Sequence, residues 1–79
     1  MTETLISELE VIKQEFDKAL TVATSVYTDR NKDSYKRLTD SYSIKLVKKL
    51  DEHNLVNNKE ANDHINEIYN GLINQYLTS

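Results

Sequence analysis

Apolar residues recur along the first third of the chain at steps of four and three: Leu5, Leu9, Ile12, Phe16, Ala19, Ala23 and Val26. An α-helix returns to the same face about every 3.6 residues. This spacing therefore lays one continuous seam along a helix of about 25 residues, roughly 37 Å long. Ile6, Leu20 and Tyr27 flank the seam on one side, Val11 and Val22 on the other. The apolar surface is broader than the stripe of a two-stranded coiled coil, so this helix is expected to take two neighbours. Ala19 and Ala23 allow a neighbouring backbone to come close, and Phe16 fills the space where the approach is looser. Thr2 or Thr4 is the expected N-cap, with a second capping-box pattern at Ser7 and Glu10. Glu3, Glu8 and Glu10 lie toward the positive end of the helix dipole.

The seam ends after Val26, where the next position is Arg30, and residues 29–34 contain nothing apolar. The first connection is placed there, with Asp33 or Ser34 capping a second helix. Residues 29–33 lack both glycine and proline, so a polar stretch of one continuous helix remains the alternative. The second helix is expected over about 34–53, with Tyr35, Leu38, Tyr42, Leu46 and Leu50 on one face and Val47 at its edge. Ile44 points away from that face, as a lone exposed residue or a second contact surface.

Residues 51–58 read as a tight connection. Asn54 is the expected helix stop and Asn57 or Asn58 the next N-cap. Glu60 would complete a capping box with Asn57, and Val56 would staple onto Ala61. The third helix, about 58–77, repeats the seam with Ala61, Ile65, Ile68 and Leu72, widened by Tyr69, Ile73 and Tyr76. Asparagines recur every four residues at Asn58, Asn62, Asn66, Asn70 and Asn74. Asparagine is a poor helix former, at up to about 0.7 kcal/mol below alanine, and Gly71 adds about 1 kcal/mol more. The third helix therefore depends on packing. The ladder is read mainly as a solvated face, while Asn62 and Asn66 are candidate polar contacts that fix register or meet a partner.

These patterns predict one all-α domain over residues 1–79: a three-helix antiparallel bundle, expected to self-associate. A 79-residue chain buries a small core, and the absence of cysteine removes disulfide support. A homo-oligomer or a protein partner is the remaining support. No apolar run approaches the ~20 residues of a membrane span. The first residues lack the basic and apolar regions of a signal peptide, which points to a cytoplasmic protein. Asparagine, lysine, isoleucine and tyrosine are plentiful and proline is absent, as in translation of an AT-rich genome such as that of a low-GC bacterium or a large phage.

Little in the sequence carries chemistry. There is no cysteine nucleophile, and the single glycine lies inside the third helix, so no phosphate loop forms. His64 has Glu60 and Glu67 on neighbouring turns, but the spacing reverses the Glu-x-x-His order of carboxylate-bridged di-metal bundles and has no second copy. His53 is read as a favourable charge at the C-terminus of the second helix. No catalytic residue, metal ligand or cofactor is assigned, and the expectation is a non-enzymatic protein.

Charge is more informative. Residues 1–28 hold two basic and five acidic side chains, residues 29–50 seven and three, and residues 51–79 one and five, giving −3, +4 and −4. The middle helix is a basic island in a chain of pI about 5.3. Arg37, Lys45, Lys48 and Lys49 lie away from Leu46 and Leu50. The favoured explanation is electrostatic pairing with the two acidic helices; the alternative is a surface for nucleic acid or another anion. A helix-turn-helix reader is disfavoured because its recognition helix would carry Glu60, Asp63 and Glu67 against Lys59 alone. The leading expectation is a protein-binding module acting as a regulator, inhibitor or assembly factor, in keeping with a phage accessory protein. The second is a nucleic-acid-binding accessory protein. Candidate interaction residues are Arg37, Lys45, Lys48, Lys49, Asn62, Asn66, Val11 and Val22.

Overall fold

The computed structural model describes residues 2–26 and 32–77. They form three helices, α1 (Glu3–Val26), α2 (Lys32–Glu52) and α3 (Lys59–Leu77), packed as an all-α bundle 39 Å long and 19 Å across. The direction of each helix follows from its cross-contacts. Glu8 meets Lys49 and His53, Phe16 meets Tyr42, and Ala23 meets Tyr35, so α2 runs antiparallel to α1. Phe16 meets Tyr69 and Thr21 meets Tyr76, so α3 runs parallel to α1. The side-by-side placement of α1 and α2 excludes a single straight helix across both. Residues 29–31 lie outside the described residues, whereas Asp33 is already in the first turn of α2. Asp33 and Ser34 therefore fall inside the helix, not at the cap position expected for them.

The other helix ends show how local chemistry sets the boundaries. Thr2, not Thr4, caps α1: its hydroxyl accepts the Leu5 amide at 3.2 Å. At the end of α2, Asn54 adopts the left-handed conformation with φ of 57°. The Leu55 amide then donates to the Leu50 carbonyl at 2.8 Å and the Asn54 amide to Asp51 at 3.0 Å. This paired closure satisfies carbonyls that the helix leaves open. It also turns Leu55 onto the core beside Leu50. Asn58 caps α3, its side-chain oxygen accepting the Ala61 amide at 2.9 Å. That register makes Ala61 the third helical residue, so the expected Asn57–Glu60 capping box is one residue out of step.

The core is built where the three stripes meet: Leu5, Leu9, Ile12, Phe16 and Leu20 of α1, Leu46 and Leu50 of α2, and Ala61, Ile65, Ile68 and Leu72 of α3. Two details depart from the sequence pattern. Leu20, expected on a flank, is fully buried, while Ala19 of the expected seam is only half-buried. A long leucine reaches into the core from the flank, whereas an alanine at the seam leaves a furrow. Thr39 is also buried, its hydroxyl donating to the Lys36 carbonyl at 3.1 Å. The side chain of Val26 and all of Tyr27 lie outside the described residues.

Gly71 sits on the exposed side of α3, and a Cβ built on it would meet nothing within 4 Å. Its backbone needs no positive φ. Gly71→Ala is expected to stabilise the protein by about 0.8–1 kcal/mol, the intrinsic helix preference of alanine. Urea denaturation followed by circular dichroism measures this, and a loss of stability would contradict the open environment of the site.

Candidate functional site

The helix α3 closes one side of the α1/α2 pair, and the opposite side stays open. A furrow runs between α1 and α2 along that side. Toward one end it is walled by Ala19, Val22, Ala23, Tyr35, Leu38 and Tyr42. Toward the other it is lined by Val11, Ile12 and Glu15 of α1 and by Lys45, Lys48 and Lys49 of α2. The short side chains of Ala19 and Ala23 create the apolar end. Below them Tyr42 stacks on Phe16, with ring centroids 4.8 Å apart and planes within 3°. Tyr42, like the buried Tyr35, is thus engaged in the core and does not offer a free stacking face.

The structure gathers some candidate residues and separates others. Val11 shares its end of the furrow with Lys45, Lys48 and Lys49, and Val22 lies at the far end. Both valines are more than half exposed, at 56% and 55%. Arg37 is exposed on the outer surface of α2 and does not line the furrow. Asn62 and Asn66 lie on α3, apart from this group. The Asn62 amide is already used locally, donating to the carbonyls of Val56 at 2.9 Å and Asn58 at 2.8 Å. It locks the α2–α3 connection onto the start of α3. Glu8 and Glu15, which also border the furrow, were missed as site residues. Their helical spacing from Val11 was the available signal.

The basic helix is partly neutralised within the chain. Lys49 bridges Glu52 at 2.9 Å and Glu8 of α1 at 3.3 Å. Glu8 extends on its second oxygen to His53 at 3.3 Å. His53 therefore has a partner across the helix pair, in addition to its place at the helix end. Lys45 sits over the Tyr42 ring, 4.6 Å from its centroid. Among the described residues Lys48 has no carboxylate partner and is exposed.

The hydrogen bond from Lys49 lowers the Glu8 carboxyl below its ordinary range; partial desolvation opposes this and His53 adds to it. Lys49 is raised in turn, first by Glu52 and then by Glu8. A depressed carboxylate stabilises the fold at pH above the ordinary carboxylate range and loses that contribution as pH falls through its lowered value. Stability should therefore decline as pH falls below the ordinary carboxylate range. Glu8→Gln should make that decline shallower, as read by urea midpoints at each pH. An unchanged slope would remove Glu8 from the account.

On the other flank, Tyr76 donates to the Asp17 carboxylate, and the Thr21 hydroxyl lies 2.9 Å from the Tyr76 hydroxyl. This tether fixes the end of α3 to α1. Among the described residues, no group of three or more His, Cys, Asp or Glu side chains is arranged to hold a metal ion. No described helix is long and apolar enough to cross a membrane. Compared with protein-family models, curated proteins and solved structures, the chain matches none.

Proposed function

We propose that this protein acts in the cytoplasm by binding another protein chain through the open α1/α2 face, as a regulator, inhibitor or assembly factor and not as a catalyst. The observation that carries this reading is the exposure of Val11 and Val22 beside a furrow with an apolar floor. Scattered single apolar residues on a surface are ordinary, whereas an apolar strip beside a groove with a polar rim suits a docking surface. Lys48 and Glu15 at the rim supply charges that orient a partner more than they hold it.

The test is the double substitution Val11→Lys with Val22→Lys. Both side chains already face water, so the helical circular dichroism signal and melting temperature should stay near those of the parent. Association, measured by sedimentation and by affinity capture from the native host, should be lost. Association that survives both changes excludes this face.

Engagement of Lys49 and Lys45 within the chain counts against the nucleic-acid reading. Affinity for a labelled oligonucleotide that falls steeply from 50 to 200 mM salt, as phosphate contacts require, and that drops on charge reversal at Arg37, Lys45 and Lys48 would favour it instead.

A further inference from the structure

The outward stripe of α1 is self-complementary. Val11, Glu15, Lys18 and Val22 follow at steps of four, three and four, centred between Phe16 and Asp17, with a valine at each end and opposite charges inside. Eleven residues make close to three helical turns. The two valines therefore stand nearly on one line, about 16.5 Å apart, with the charged pair between them. All four side chains are exposed. Among the described residues neither Glu15 nor Lys18 has an ion-pair partner, although they stand three positions apart on one face.

We infer that this stripe is the interface of a homodimer in which α1 packs antiparallel against α1 of a second copy. This occupant deepens the protein-binding reading above and rests on it. A two-fold axis perpendicular to the helix, passing through the midpoint of the stripe, sets Val11 against Val22 of the second copy and Glu15 against Lys18. Each contact occurs twice, as an isologous interface requires. A parallel arrangement would instead oppose Glu15 to Glu15 and Lys18 to Lys18. The furrow beside the stripe gives the partner helix room to settle between α1 and α2.

The experiment is a charge swap read by sedimentation equilibrium over a wide concentration range at low salt. The parent chain should show a concentration-dependent monomer–dimer equilibrium. Glu15→Lys and Lys18→Glu should each weaken the dimer about tenfold or more, because each single change turns two attractive contacts into two repulsive ones. The combined variant Glu15→Lys with Lys18→Glu should restore the parent constant to within about threefold, and 0.5 M salt should shrink the differences. Circular dichroism of each variant confirms that the helices are retained. A dimer indifferent to the single changes overturns this interface, and so does a double variant that fails to recover. A chain that stays monomeric at every concentration overturns the homodimer alone. In that case capture of a different partner, lost in the Val11→Lys, Val22→Lys variant, still supports the broader reading, and its absence removes both.

Discussion

Phe16→Ala is expected to lower the stability of the bundle by about 3–5 kcal/mol, the range for truncating a buried phenylalanine. A 79-residue chain has about 4–12 kcal/mol in total, so much of the population should be unfolded under mild conditions. Phe16 is fully buried near the middle of α1. It stacks on Tyr42 of α2 and meets Tyr69 of α3 at 6.1 Å with planes tilted by 43°. One ring thus joins all three helices, and its loss leaves a cavity whose walls belong to different elements and cannot collapse together. Thermal melts should shift down by tens of degrees, since each kcal/mol moves a domain of this size by about 4–8 °C. A loss below about 1.5 kcal/mol would mean that the rings are not packed as described, because that is less than the transfer free energy of the side chain.

Leu50→Ala should cost about 2–5 kcal/mol, for a reason that joins the core to the connection after α2. Its side chain is fully buried and its carbonyl accepts the Leu55 amide, so the turn at Asn54 and the packing of Leu55 are built on it. Truncation removes core volume and loosens the anchor of the α2–α3 connection together. Asn54→Gly is the informative control, since glycine enters the left-handed region without steric cost and should leave stability within a few tenths of a kcal/mol. Asn54→Val should cost about 1–2 kcal/mol because its Cβ is disfavoured there. Urea denaturation of the three variants checks the order. Equal stabilities for Asn54→Gly and Asn54→Val would refute the left-handed assignment.

Much of the architecture was legible because local chemistry and the global fold agree. The seam of α3 predicted its four buried residues, Ala61, Ile65, Ile68 and Leu72. Asn54 acts as the predicted helix stop, since a short polar side chain tolerates the left-handed conformation that a helix end needs. The exchange between Ala19 and Leu20 was not legible from spacing. Both lie at the margin of the stripe, and side-chain length and the position of a neighbouring helix decide which is covered. The asparagine ladder also divides on inspection: Asn58 caps, Asn62 braces the connection, and Asn66 and Asn70 face water. The repeat alone reads mainly as a solvated face, with Asn58 as a cap candidate and Asn62 and Asn66 as candidate polar contacts. Of the basic residues, charge blocks predicted pairing with the acidic helices, yet which lysine pairs depended on register. Lys49 reaches Glu8, and Lys48, one residue earlier, turns outward.

From the sequence alone came three helices, the cap candidates of α1 and α3, the stop at Asn54, and the apolar face of each helix, because periodicity and capping are local properties of the backbone. The spacing of Val11, Glu15, Lys18 and Val22 was equally present there. Only the tertiary structure decided that α3 covers the other side of α1 and leaves this stripe in water. A helix with apolar residues on several sides can bury any of them, and the choice is made by which neighbours arrive and how large their side chains are. The same packing decides that Glu8, Lys49 and His53 meet, since residues far apart in the chain become partners only when the crossing of two helices sets their register.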